Sequence, residues 1–289
     1  MVLKEIFLTL RPRQWVKNVV IFAALIFSQN LIYFPLILRA TLAFVIFCLL
    51  SGAVYIFNDL MDLEQDRLHP VKKNRPIASG RITPQTASLA LLVLVAVAVG
   101  AAYRLGTPFF IAALTYLALF IFYTLKLKHV VILDLLTIAA GFVVRAVAGA
   151  VVISVDISHW LLLCTILLAL FLGLAKRRHE LVLLAEQASE HRKILAEYSP
   201  QLLDQMISVV TSSTVVTYAL YTMSSETIEK FGTDNLVFTV PFVLYGIFRY
   251  LYLVHQKQEG GSPERLLFSD KYLLVNVVAW VLAIWLIIY

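Results

Sequence analysis

The sequence predicts an all-α polytopic membrane protein: a bundle of about nine transmembrane helices with its active site at the cytoplasmic mouth. Three observations carry that expectation. The 289 residues are 61% hydrophobic and only 15% charged, where an average soluble domain is about 25% charged. Apolar runs near 20 residues, the length that crosses about 30 Å of hydrocarbon, recur along the whole chain. The basic residues also segregate. Of 24 Lys and Arg, all but Arg39, Arg104, Arg145 and Lys230 fall on the side that holds the N-terminus, which is the cytoplasmic side by the positive-inside rule.

The elements follow in chain order. Residues 1–15, "MVLKEIFLTLRPRQW", are charged and amphipathic and lack an A-x-A cleavage site. They are expected to form an interfacial helix on the inner face, anchored by Trp15. Spans are then expected at about 16–34, 38–57, 84–103, 108–126, 130–152, 159–176, 203–223, 236–254 and 271–289. No soluble domain fits between them, so residues 1–289 read as a single transmembrane domain. The cytoplasmic segments are 58–83, 126–129, 176–202 and 249–271, and the C-terminus is expected outside. The expected location is the cell (inner) membrane, multi-pass, with N-terminus and active site cytoplasmic. Within the last cytoplasmic segment, "GGSPERLLFSD" reads as a loop feeding a helix, with Ser262 as N-cap and Pro263 in the first turn. Cys48 and Cys164 both fall inside spans, which argues against a disulfide framework. Tyr218, Tyr221, Tyr245, Tyr250 and Tyr252 read as packing or interface residues.

The net charge of +6 is a property of the cytoplasmic face, and it points to anionic partners: lipid headgroups or phosphorylated substrates. Nucleic acid is a poor partner, because the charge is divided among loops and not gathered on a folded basic domain. The membrane is a partner by construction, and a homo-oligomer is compatible with the sequence.

The most informative stretch leaves the second span: "NDLMDLEQDRLHPVKKNRP", Asn58 to Pro76. At about 100° per residue, Asn58, Asp62 and Asp66 form an i, i+4, i+8 stripe, with Tyr55 and Asp59 at its margins. Bare carboxylates at the edge of a low-dielectric region repel one another. A hard divalent cation removes that cost, and Mg²⁺ favours a few carboxylates together with substrate phosphate oxygens. The spacing does not suit an EF-hand, which needs a Gly-centred loop. Arg67, Lys72, Lys73, Arg75 and Arg81 follow, placed to hold phosphate oxygens beyond the metal's reach. Carboxylates, a metal and phosphates rimmed by bases suit a diphosphate leaving group. The plainer reading is a solvated loop in which acids balance positive-inside bases.

These residues resemble the first aspartate-rich motif, N-D-x-x-D-x-x-x-D, of the UbiA superfamily of intramembrane prenyltransferases, matched at Asn58, Asp59, Asp62 and Asp66. The resemblance covers nearly the whole chain. Members that prenylate aromatic acceptors carry a second acidic motif, D-x-x-x-D, after the sixth span. Here that place reads "LGLAKRRHEL", with Lys176, Arg177, Arg178 and one acid, Glu180. Together with "RPRQWVKN", "HPVKKNRPIASG" and "LKHVVILDLLTIAAGFVVRAVAG", this resembles the branch of decaprenyl-phosphate phosphoribosyltransferases. The resemblance implies transfer of 5-phosphoribose from phosphoribosyl diphosphate to a polyprenyl phosphate, with release of diphosphate, for envelope glycan precursors.

On that resemblance, Asp62, Asp66 and Asp59 are the expected catalytic acids, and Asn58, Asp62 and Asp66 the Mg²⁺ ligands. Lys17, Tyr55, Lys72, Arg75, Lys176, Arg177 and Arg178 are expected on phosphoribosyl diphosphate, the last three at its 5-phosphate. Asn18, Lys126, Lys128, His129 and Arg145 are expected on the lipid phosphate. Each has a plainer reading: Lys176–Arg178 as a helix end with a positive-inside flank and an i, i+4 pair to Glu180, Lys126 and Lys128 as inner-face anchors, Arg145 as a residue paired within the bundle, for example with Asp134. An unpaired charge that deep is costly and usually functional. No Ser-His-Asp, Cys-His or H-E-x-x-H set is present, and none is needed, because a phosphate monoester is already an anion near neutral pH. Two other functions stay open. One is prenyl transfer from a polyprenyl diphosphate to an aromatic acceptor, which the basic "AKRRHEL" argues against. The other is a non-catalytic carrier, which would spread polar residues through the midplane.

Overall fold

A computed structural model of the chain describes residues 2–183, 197–257, 259–261 and 263–289. The chain groups into two compact units, Met1–Ile157 and Ser158–Tyr289. Ser262, the expected N-cap, lies outside the described residues.

The first unit opens with α1 (Val2–Thr9), which exposes Val2, Leu3, Phe7 and Leu8 and buries Thr9. The chain turns through Arg11, in the left-handed region at φ 53°, into a 3-10 helix, Pro12–Phe22, continued by α2 (Ala23–Phe27). With rises of about 2.0 Å and 1.5 Å per residue, these two segments cover about 30 Å, the thickness of a hydrocarbon layer. The first expected span, 16–34, is therefore not one long α-helix. Gly149 fixes this tight segment: a Cβ there would lie 2.1 Å from Ile21 O, so backbone packs on backbone, as small residues permit in membrane bundles.

Eight helices among the described residues are long and apolar enough to cross a membrane, and they match the remaining expected spans. Four are in this unit: α3 (Phe34–Met61), α5 (Pro84–Leu105), α6 (Thr107–Leu125) and α7 (Leu133–Val152), with the short α4 (Leu63–Leu68) after α3. α3 is central and apolar all round, burying Ala40, Ala43, Phe47 and Leu50 against Ile21, Phe109, Tyr116 and Ala148. At 28 residues it is about 42 Å long, so its last turns stand beyond the hydrocarbon. Pro84 starts α5 behind Thr83, whose Oγ1 accepts Thr86 N–H at 3.2 Å. At the other end Arg39 caps two helices, donating to Val152 O at 2.7 Å and Leu105 O at 2.9 Å, where a cation suits the helix dipole.

The second unit holds α8 (His159–Leu183), α9 (Pro200–Met223), α10 (Ser225–Phe231), α11 (Val240–His255), α12 (Pro263–Ser269) and α13 (Lys271–Ile288). Tyr218 is buried and bonded to Thr239 at 2.7 Å, and Trp280 Nε1 donates to it at 3.0 Å. Tyr250 is buried against Phe171. Both are packing residues, as expected. Asp270 caps α13 at Leu273 N–H, 2.7 Å, and takes Arg249 of α11. Cys48 and Cys164 are free thiols.

Candidate active site

The acidic stripe sits where α3 gives way to α4. Asp62 is the joint (φ −97°, ψ 13°), yet the helical bonds run through it: Asp62 N–H to Asn58 O at 2.9 Å and Asp66 N–H to Asp62 O at 2.8 Å. Asn58, Asp62 and Asp66 therefore keep the one-turn spacing that the sequence predicts. Asn58 Nδ2 donates to Asp62 Oδ2 at 3.1 Å, and Thr124 Oγ1 lies 3.5 Å from Asn58 Oδ1.

Each carboxylate has a cation. Lys128 Nζ donates to Asp62 Oδ1 at 2.5 Å. Arg75 Nη1 bridges Asp59 Oδ1 at 3.0 Å and Asp66 Oδ2 at 2.5 Å. Arg11 donates to Asp59, and its guanidinium lies 4.6 Å from the Tyr55 ring centroid. Lys72 Nζ approaches Asp66 Oδ1 at 4.0 Å. Asp59 and Asp66 are seven residues apart, within about 20° on a helix, which is why one guanidinium spans both. Asp59 is thus buried inside the pairing, not at the edge of it. Asp62 is the open carboxylate, its side chain 21% exposed against 3% for Asp59 and Asp66.

Four cations surrounding three carboxylates leave the mouth net positive. A phosphate placed here would meet Lys128, Arg75 and Lys72, and any of them it drew away would free carboxylate oxygen. Among the described residues no three His, Cys, Asp or Glu gather tightly enough to hold a metal alone. Mg²⁺ would not need such a cluster, because it usually takes one or two carboxylates and completes its shell with substrate phosphates and water. Asn58, Asp62 and Asp66 are a suitable donor set on those terms.

Two expected lipid-phosphate residues, Asn18 and Arg145, lie buried and bonded to each other. Asn18 is fully buried and Arg145 is 4% exposed. Arg145 donates to Asn18 Oδ1 at 2.7 Å, Gly141 O at 2.9 Å and Tyr116 Oη at 2.8 Å, and its guanidinium lies over Tyr116 and Phe142. Asn18 in turn donates to Ser51 Oγ and Cys48 Sγ, both at 3.3 Å. The pair ties the 3-10 segment to α3, α6 and α7. Asp134, offered as the partner of Arg145, is not among these hydrogen bonds.

Lys126, Lys128 and His129 lie in the turn between α6 and α7, with Lys126 capping α6. Of these only Lys128 is brought onto the acids by a hydrogen bond shown here. Lys17 lies on the 3-10 segment beside Asn18. In the second unit, Lys176 is exposed, Arg177 is buried and donates to Glu180 at 3.0 Å, and Arg178 donates to Asp204. Glu180 pairs with Arg177, three residues before it, where the plainer sequence reading expects an i, i+4 pair at a helix end, and α8 runs on past the basic run to Leu183. Arg11 and Thr124 belong to the site and were not foreseen. Arg11 carries one local signal, the base beside Pro12; nothing local marks Thr124.

The sequence and fold have relatives. The model of the UbiA prenyltransferase family matches residues 18–271. The decaprenyl-phosphate phosphoribosyltransferase of Corynebacterium glutamicum is 33% identical, over 97% of this chain and 85% of the relative. That of Mycolicibacterium smegmatis is 32% identical, over 94% and 88%. A UbiA homolog from Archaeoglobus fulgidus, solved bound to GPP and Mg²⁺, superposes with a TM-score of 0.73 at 17% identity, over 98% of this chain and 99% of that one. The last likeness is one of fold.

Proposed function

This chain belongs to the UbiA prenyltransferase family, and from that premise we propose that it moves 5-phosphoribose from phosphoribosyl diphosphate to a polyprenyl phosphate, releasing diphosphate. The observation that carries the reading is the basic run Lys176–Arg178 on α8, where a prenyl transferase acting on aromatic acceptors would hold a second acidic pair. The near full-length relatives named as decaprenyl-phosphate phosphoribosyltransferases support the same choice. The asymmetry of Lys and Arg supports an inner-membrane protein with this mouth on the cytoplasmic side.

In the reaction a lipid phosphate oxygen forms a bond to C1 of the ribose as the bond from C1 to the diphosphate oxygen breaks. The lipid phosphate, with a second pKa of about 6, is already an anion, so no residue has to remove a proton. Asn58, Asp62 and Asp66 would hold Mg²⁺, whose chemistry is to neutralise charge on the departing diphosphate. Arg75 and Lys72 pass from carboxylate to phosphate oxygens and hold the leaving group in line with C1, and Lys128, beside Asp62, passes to the lipid phosphate. Arg11 keeps Asp59 paired while Arg75 is drawn away, so the buried acid is never left bare, which would cost about 3–5 kcal/mol.

The test is a substrate panel on purified protein with Mg²⁺. Phosphoribosyl diphosphate with a polyprenyl phosphate should give lipid-linked phosphoribose and free diphosphate. Turnover of polyprenyl diphosphate with 4-hydroxybenzoate, and none of phosphoribosyl diphosphate, would sink the reading.

A further inference from the structure

The second unit carries a charged cluster built by three helices. Arg178 on α8 donates through Nε and Nη2 to the two carboxylate oxygens of Asp204 on α9, the Nη2 bond at 3.3 Å. His255, the last residue of α11, meets the same carboxylate. Its Nε2 lies 3.1 Å from Asp204 Oδ1, and its Nδ1 lies 3.0 Å from Leu251 O. Both ring nitrogens face oxygens that only accept, so both contacts are hydrogen bonds only in the imidazolium form. Arg178 and the protonated form of His255 thus converge on one carboxylate, with the exposed Lys176 two positions before Arg178.

The accessibility of the three side chains is uneven. Asp204 is 39% exposed, His255 32% and Arg178 16%. Solvent reaches the carboxylate while the guanidinium is held down by the helices around it. An ion pair this exposed contributes little net stability. A phosphate monoester carries about −1.5 to −2 charge and three strong acceptor oxygens, where Asp204 offers one charge and two oxygens. The guanidinium fork suits phosphate geometry. The exchange therefore favours the ligand, with Asp204 turning out to solvent as it gives up its partners.

We propose that Arg178 and His255 form a binding site for a phosphate monoester, with Asp204 as its built-in, displaceable occupant. The site rests on the transfer reaction proposed above for its two candidate ligands, the 5-phosphate of a phosphoribosyl group and the headgroup of a polyprenyl phosphate. It adds Asp204, 26 residues beyond Arg178 along the chain, and His255, 51 residues beyond Asp204.

The test is calorimetric binding to the full-length protein in detergent, with ribose 5-phosphate and a short-chain polyprenyl phosphate as separate probes and ribose as blank. Asp204→Asn removes the competing charge and should tighten one monoester about 3- to 10-fold. Arg178→Gln and His255→Gln should weaken the same monoester at least 10-fold. The probe that responds identifies the source of the phosphate. A strut that only ties helices predicts the opposite: Asp204→Asn lowers the melting temperature and leaves both affinities unchanged or weaker, which would overturn the site. Should the Arg178 variant fail to fold, the wild type still decides, because saturating monoester must shift the ring ¹⁵N signals of His255. Signals that stay in place with both probes also overturn it. Turnover judges the reaction separately. Product formation with neither monoester sensitive to these variants removes the site and leaves the reaction. A responsive ribose 5-phosphate without any transfer leaves the site and removes the reaction.

Discussion

The mouth of α3 and the interior around Arg145 both bury charge, and they satisfy it in opposite ways. At the mouth Asp59, Asp62 and Asp66 each meet a cation, and Arg75 serves two of them at once. In the interior Arg145 is hydrogen-bonded to an amide oxygen, a carbonyl and a phenol, under aromatic rings. An ion pair at an accessible mouth has a competitor whenever a phosphate or a divalent cation arrives. A guanidinium enclosed by neutral oxygens and rings has none, so it serves as a permanent joint. The difference separates charges kept for exchange from charges kept for architecture.

The sharpest break of that comparison is Asp62→Asn. The change keeps shape and an oxygen but removes the charge a hard cation feels most. Turnover should fall at least about 100-fold at saturating Mg²⁺, equivalent to roughly 2.7 kcal/mol, with the protein still folded in detergent. Arg145→Met should do the reverse. Asn18 and Tyr116 lose a charged partner inside the bundle, so stability should drop by about 2 kcal/mol while the folded fraction keeps its KM values within about threefold. Normal melting with lost turnover would move Arg145 from joint to site.

Asp59→Asn lies between the two. The new amide still accepts from Arg11 or Arg75, and a loss of about tenfold in turnover, about 1.4 kcal/mol, is expected. A loss greater than that of Asp62→Asn would mean that the buried acid, not the open one, carries the chemistry. The smallest effect belongs to a purely architectural pair. Hydrogen bonding from Arg249, against a smaller opposing effect of burial, holds the Asp270 carboxyl below its ordinary range. Its stabilisation is therefore present above the unfolded pKa of about 3.9 and is lost as pH falls through the lower folded value. Asp270→Ala should cost about 1 kcal/mol of stability at neutral pH, mostly as a lost cap. Melting curves of variant and wild type should converge in acid below about pH 4.

Periodic features were legible in the sequence. Eight apolar stretches became helices close to their expected bounds, and Asn58, Asp62 and Asp66 kept their one-turn spacing across the joint at Asp62. What escaped was fixed by contacts distant along the chain. Arg11 reaches Asp59 across 48 residues and Arg145 reaches Asn18 across 127, and no local pattern encodes either meeting. The close packing of the 3-10 helix Pro12–Phe22 escaped for the same reason, since Gly149 lies opposite Ile21 from far along the chain. The basic run on α8 looked stripped of acids because Asp204 joins it from the next helix.

In the function proposed above, carboxylates at this mouth hold a metal, and through it a diphosphate. Calorimetric binding of inorganic diphosphate with and without Mg²⁺ tests it most directly. Mg²⁺ should tighten diphosphate at least about tenfold in the wild type, about 1.4 kcal/mol, and Asp62→Asn should abolish most of this gain. Equal affinity with and without Mg²⁺ in the wild type, or an undiminished gain in Asp62→Asn, would contradict it.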